Sequence, residues 1–232
     1  MRVREIVKVA VIVFPGSNCD RDMHHVLADV FKLNSQLVWH TDSLPKDIDA
    51  IVLPGGFSYG DRLRAGVIAA HSPIIAEVKK MAKRGMPILG VCNGFQILVE
   101  AGLLSGALLK NTSLTYICKW AEIIVKNNKT PFTNKLELNQ RIPIAIANGE
   151  GRYYADEETL KLLKKNNQIV FTYAEEINGA SMRIAGICNT EGNVVGMMPH
   201  PERSAEQIIN PRNSKPASLI FESLLNTLGV TA

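Results

Sequence analysis

Three short stretches carry residues whose types and spacing could do chemistry. The first is Gly90-Val91-Cys92-Asn93-Gly94, which lies between an apolar run and an amphipathic one. In a Gly-x-Cys-x-Gly turn, small residues permit a tight strand-to-helix elbow that pushes the cysteine out at the carboxyl edge of a sheet, as Gly-x-Ser-x-Gly does for serine. Partial positive charge at the helix start favours thiolate, and the Asn93 amide is positioned to meet an oxyanion. Taken alone, the pentapeptide reads equally well as a small core cysteine in a glycine-rich turn.

The second stretch is Pro199-His200-Pro201-Glu202. Pro201 steers His200 into an extended conformation, so residues two apart point the same way and His200 can act with Glu202. In a cysteine enzyme the imidazole shuttles the thiol proton while a carboxylate on the far ring nitrogen fixes tautomer and orientation. Without Cys92 the segment would be a proline-rich turn whose Glu202 answers a helix dipole. The third is Pro54-Gly55-Gly56-Phe57, where glycines let backbone amides face a crevice and Gly56 could supply a second oxyanion donor. A plain turn explains it as well.

Elements placed between these stretches would have to bring them to one edge. Residues 8–14 are apolar and β-branched on both faces, as a buried parallel strand requires, and Ser17-Asn18-Cys19-Asp20 then caps a helical run carrying Met23, Val26, Leu27, Val30 and Phe31. Residues 37–40, 50–53 and 87–91 are further strands, and residues 94–101 a helix. Leu63, Val67, Ile68, Ile74, Ile75 and Val78 predict one or two helices closed by Lys83-Arg84-Gly85. From residue 112 to 146 the pattern turns β-rich, which predicts antiparallel strands added to the sheet. A polar helix over 155–165, strands over 169–173, 183–188 and 194–198, and a last helix over 217–228 complete the chain. The predicted fold is α/β: a doubly wound, mostly parallel, flavodoxin-like sheet with added antiparallel strands. No repeat or long linker divides residues 1–232, which read as a single domain.

Composition narrows the function classes. Of 232 residues 46% are hydrophobic and 21% charged, and the formal charge of +4 is spread without a basic block. That does not argue for nucleic acid as a partner. No apolar run nears the ~18 to 20 residues of a membrane span. The basic start at Met1 to Arg4 is not followed by a leader's apolar stretch and cleavage site, so a cytoplasmic protein is expected. No Gly-Lys-Ser or Gly-Lys-Thr loop occurs, and no Gly-x-Gly-x-x-Gly follows the first strand, so neither ATP nor NAD is expected by those routes. The four cysteines, Cys19, Cys92, Cys118 and Cys188, lack disulfide or zinc spacing. No metal or cofactor is expected. Cys118 and Cys188 read as core thiols, Met182, Met197 and Met198 as core filling, and His24 and His25 as surface residues. His40 and His71 have no ligand spacing, and Cys19 lies near the same sheet edge as Cys92.

In combination these motifs are recognisable. Gly90 to Gln96 with Pro199 to Arg203 resembles the class I, triad-type glutamine amidotransferases. Pro54-Gly55-Gly56-Phe57-Ser58-Tyr59-Gly60-Asp61, Asn148-Gly149-Glu150-Gly151-Arg152-Tyr153-Tyr154 and Gly196 to Arg203 are similar to the glutaminase subunits of phosphoribosylformylglycinamidine synthases. Matching segments run from the first strand to about Arg203. The resemblance implies Cys92 as nucleophile toward L-glutamine, His200 as base and acid, Glu202 as its orienting carboxylate, Gly56 and Asn93 as oxyanion donors, and Gln96 as a substrate contact. It also implies a synthetase subunit that receives the ammonia, joined by a third small subunit. Asn148 departs from the pattern, which usually has histidine there. A glutaminase subunit of another amidotransferase and a cysteine peptidase are the competing readings.

Overall fold

The computed structural model describes residues 7–211 and 216–230; the basic start at Met1 to Arg4 lies outside them. One nine-stranded sheet organises the chain. Its strands are β1 (Lys8–Val13), β2 (Asn34–Trp39), β3 (Ala50–Leu53), β4 (Ile88–Val91), β6 (Ile117–Val125), β7 (Arg141–Asn148), β9 (Ile169–Tyr173), β10 (Ile184–Cys188) and β11 (Val194–Met197). Spatial order is β2-β1-β3-β4-β11-β10-β9-β6-β7. From β2 to β11 every pairing is parallel, and from β11 onward every pairing is antiparallel. Two short strands, β5 (Ala107–Leu109) and β8 (Arg152–Tyr154), form a separate antiparallel ladder.

Buried valine and isoleucine drive the parallel half. Val9, Ala10, Val11 and Ile12 are all fully buried, and such a run suits a strand covered on both faces. Each buried valine or isoleucine side chain contributes roughly 1.5–3 kcal/mol relative to exposure. The helices are α1 (Asp20–His25), α2 (Pro73–Lys83), α3 (Asn93–Glu100), α4 (Glu157–Lys165) and α5 (Ser218–Thr227). Helix α1 runs on into a wider π turn at Val26–Val30. In α4, Asp156 caps the first turn by accepting the Thr159 N–H at 2.7 Å. No helix among the described residues is long and apolar enough to cross a membrane.

The predicted α/β architecture is present, with three local corrections. Leu63 and Val67 are not helical: only α2 and a short turn at Ala69–His71 form there. Gly60, Asp61, Leu63 and Gly66 all adopt positive φ, which breaks any helix, and Leu63 is 91% exposed. Cys118 is exposed rather than a core thiol. It pairs with Ala147 on β7, but β9 borders β6 only from Ile123 onward, so this half of the strand has an open edge. Met182 is likewise exposed, in a left-handed turn ahead of β10.

Candidate active site

Four parallel strands end at one edge of the sheet, and each end delivers part of the site. Strand β1 leads to Ser17 and Cys19, β3 to Gly55 and Gly56, β4 to Cys92, and β11 to His200 and Glu202. The sequence order reverses about β1, and ligands in open α/β sheets bind outside such carboxyl ends.

Cys92 is the hinge between β4 and α3. Its φ is 50° and ψ −108°, outside the helical region, and its N–H is tied to the Met197 carbonyl at 2.8 Å. A non-glycine residue in that conformation is strained. Glycines beside it allow the helix to come so close. A Cβ on Gly94 would collide with the Leu53 carbonyl, and one on Gly90 would lie 2.7 Å from the Gly94 carbonyl oxygen. The Cys92 thiol is nearly buried and donates to the Ala147 carbonyl at 3.6 Å. Asn93, the first residue of α3, has an N–H with no carbonyl partner inside the helix.

His200 Nδ1 lies 2.6 Å from Glu202 Oε1, and both side chains are buried. The backbone is fixed by an N–H bond to Ala145 at 2.9 Å and by the Ser204 hydroxyl, which donates to the His200 carbonyl at 3.0 Å. His200 Nε2 is buried without a hydrogen-bond partner. Gly55 has no room for a side chain: a Cβ there would stand 2.8 Å from His200 Cε1, 3.0 Å from Cys19 Sγ and 3.4 Å from Cys92 Cβ. The imidazole and both thiols thus converge over it. Burial alone would strip the proton from His200, yet the Glu202 carboxylate and then Cys92 hold its pKa well above the usual histidine range. That is the electrostatic setting for an imidazolium formed by taking a thiol proton.

Gly56, at φ 147°, is bridged to Ser17 and lines the same cleft as Cys92 and His200. Gln96 also lines it, with its side-chain amide braced at both ends: Oε1 accepts from Asn93 Nδ2 at 2.9 Å and Nε2 donates to the Glu150 carbonyl at 2.7 Å. All six residues singled out from the sequence therefore gather at one edge.

The structure adds contacts and cleft positions that the sequence did not give for residues it had named. Cys19 is buried against His200, and Arg203 Nη2 donates to its sulfur at 3.1 Å while Arg203 Nε binds Asp22 at 3.0 Å. Burial pushes the Cys19 thiol up, so it stays protonated. Ligand atoms of Cys19, His200 and Glu202 lie within 4.8 Å of one another, a spacing that could hold a metal ion. The Arg203 cation on Cys19 and the engagement of Glu202 with Nδ1 favour a proton-handling cluster instead. Asp61, Asn148 and Glu150 complete the cleft lining. Asn148 ends β7, Asp61 closes a short turn over Ser58–Asp61 and Glu150 follows β7, and no periodicity announces their convergence.

Burial, followed by repulsion from Glu150, pushes the Asp61 carboxyl up to about 6. An acid whose folded pKa is raised costs stability when ionised: between the usual carboxylate range and pH 6 the folded state holds a proton that the unfolded state has lost. Asp61→Asn is therefore expected to stabilise the protein above pH 6, and that gain should vanish as the pH falls to 4. Urea midpoints at neutral pH and near pH 4 check this; a difference independent of pH would contradict it.

The family model for the CobB/CobQ-like glutamine amidotransferase domain matches residues 6–226. Among solved structures, a chain of PurLQS from Thermotoga maritima is 46% identical over 96% of this chain and 99% of its own, with a TM-score of 0.87. A glutamine amidotransferase from Thermotoga maritima is 15% identical, covers 97% of this chain and 84% of its own, and superposes with a TM-score of 0.56; it shares the fold. Matched over nearly its whole length in both ways, the chain belongs to the CobB/CobQ-like glutamine amidotransferase domain family.

Proposed function

We propose that the chain is the glutaminase subunit of a phosphoribosylformylglycinamidine synthase, hydrolysing L-glutamine and passing the ammonia to a synthetase subunit. Residues 1–232 act in this reading as one amidotransferase domain. The observation that carries it is the strained Cys92 elbow set beside the buried His200–Glu202 pair. His200 Nε2 takes the Cys92 proton, and the thiolate attacks the side-chain carbonyl carbon of glutamine. The N–H groups of Gly56 and Asn93 meet the oxyanion. On collapse the carbon–nitrogen bond breaks, His200 returns its proton to the departing nitrogen, and a thioester remains on Cys92. Water activated by the same imidazole then releases glutamate. Gln96 braces the substrate wall and is placed to contact glutamine.

Chemistry calls for the partner. Free ammonia becomes ammonium at neutral pH and cannot attack, so it has to pass directly to an activated acceptor. The 46% identity to a chain of PurLQS supports a synthetase of that kind, with a third small subunit in the assembly. A cytoplasmic setting fits this role. Ammonia release from glutamine, measured for the chain alone and with synthetase, acceptor and ATP, tests the reading. Slow release alone and faster release in the loaded complex is expected. Equal rates would remove the gating by the partner, and hydrolysis of a generic peptide without any partner would favour a peptidase.

A further inference from the structure

Gly56 leads into a strained turn, and a histidine outside the cleft, one that the mechanism does not use, holds that turn from behind. Tyr59, Gly60 and Asp61 take left-handed backbone angles in succession, at φ 55°, 68° and 51°. For tyrosine that conformation costs free energy, and it persists only where the surroundings over-determine it. Much of the hold is backbone. The Phe57 N–H donates to the Gly16 carbonyl at 2.9 Å and the Tyr59 N–H to the Pro15 carbonyl at 2.6 Å, so the turn lies on the exit of β1. There the Gly55 carbonyl accepts the Cys19 N–H at 3.3 Å. The carbonyl and N–H of a trans peptide point opposite ways, so this bond directs the Gly56 N–H away from the Cys19 amide. How firmly the turn sits on the β1 exit therefore decides where the Gly56 N–H points.

Side chains grip the turn from two sides. On the cleft side Asn93 holds it, with Oδ1 accepting the Ser58 N–H at 3.2 Å and Nδ2 reaching Asp61 Oδ1 at 3.4 Å. On the far side the half-buried Tyr59 holds it. Its hydroxyl lies 3.3 Å from Nδ1 and 3.4 Å from Nε2 of His40, so it finds an acceptor whichever ring nitrogen carries the proton. His40 is itself fixed. It follows β2, its N–H donates to the Val13 carbonyl at 2.9 Å, and its carbonyl accepts the N–H of Ile74 in α2 at 3.4 Å. Its ring lies among those of Phe14, Trp39 and Tyr59, at centroid distances of 6.0, 4.9 and 5.8 Å. We propose that His40 is a positioning residue of the amidotransferase reaction: through the Tyr59 hydroxyl it keeps the turn seated on the exit of β1 and so keeps the Gly56 N–H aimed at the oxyanion. This rests on the glutaminase reading and adds to it a group outside the cleft that acts on the transition state and not on the binding of glutamine.

The test uses the complex assembled with its synthetase and compares two reactions of Cys92: turnover of glutamine, which forms an oxyanion, and alkylation by iodoacetamide, which does not and is read on the peptide bearing Cys92. Tyr59→Phe keeps the ring and removes only the hydroxyl, and it should lower kcat roughly 3- to 10-fold, the scale of one hydrogen bond. His40→Ala also empties the space between the three aromatic rings and should lower kcat roughly 10- to 100-fold, as a small misplacement of a reacting group does. In both variants KM for glutamine and the alkylation rate should hold within about twofold, because only a transition-state contact is lost. His40→Asn, which keeps a hydrogen-bonding group near the Nδ1 position, should recover most of the loss. Adding Tyr59→Phe to His40→Ala should cost nothing more, since the two side chains act as one unit. An unchanged kcat in Tyr59→Phe, or losses that multiply in the double variant, would overturn the proposal. So would an alkylation rate that falls in step with kcat, which would assign His40 to general packing. A wild-type complex that iodoacetamide labels at Cys92 but that releases no ammonia from glutamine would overturn the glutaminase reading itself.

Discussion

Cys92→Ser is expected to abolish glutamine-dependent synthesis by the assembled complex while leaving synthesis from added ammonium salt intact. The loss should be on the order of 10⁶-fold, the scale seen when the nucleophile of a triad is removed. Serine occupies nearly the same volume, so the elbow at φ 50° and its bond to Met197 survive the exchange. What changes is acidity: the hydroxyl does not yield its proton to His200 as the thiol does. Ammonia-dependent synthesis persists because the chain's chemistry ends once ammonia is formed. Parallel assays with glutamine and with ammonium chloride read both halves, and loss of both would remove Cys92 from the nucleophile's role.

Glu202→Gln should lower the glutaminase rate by about 10⁴-fold, as replacing the orienting carboxylate of a triad by its amide does. Glu202 takes no proton during the reaction. It holds Nδ1 at 2.6 Å and is the largest influence keeping His200 protonated against burial. With glutamine there, the imidazolium loses its countercharge in a buried site, and the amide can present its NH₂ group to Nδ1 and so impose the wrong tautomer. The pKa of His200 should fall, so single-turnover rates across pH should show both the loss and a shifted profile. An unchanged rate would place Glu202 outside the catalytic unit.

Much of this arrangement was legible in the sequence because its signals are local. Strands β1, β3 and β4 are short apolar runs cut off by Pro15, Pro54 and the Cys92 elbow, and the glycines flanking Cys92 mark a strand-to-helix turn. Gly56, Cys92, Asn93, Gln96, His200 and Glu202 follow such boundaries or sit just inside the next helix. The loop before α2 misled: Leu63 and Val67 have helical spacing with Ile74 and Val78, but spacing does not reveal that Asp61 and Leu63 take left-handed backbone angles. Cys118 misled because strand composition cannot show which half of β6 lacks a second neighbour. The convergence of Asp61, Asn148 and Glu150 on the cleft was hidden for a different reason. Asp61 follows β3, the neighbour of β4, while Asn148 and Glu150 reach the cleft because β7 bridges at Ala145 to His200, and neither pairing can be read from local sequence. Cys19 was visible as a thiol near the correct edge, while its contacts with His200 and Arg203 were not.

The central claim is that Cys92 forms the bond to substrate carbon, and a second buried thiol, Cys19, faces the same histidine. The most direct measurement is mass spectrometry of the complex quenched with acid during glutamine turnover. The predicted result is a γ-glutamyl thioester on the peptide bearing Cys92, absent from Cys92→Ser. An adduct on Cys19, or turnover that persists in Cys92→Ser with no adduct at all, would contradict it.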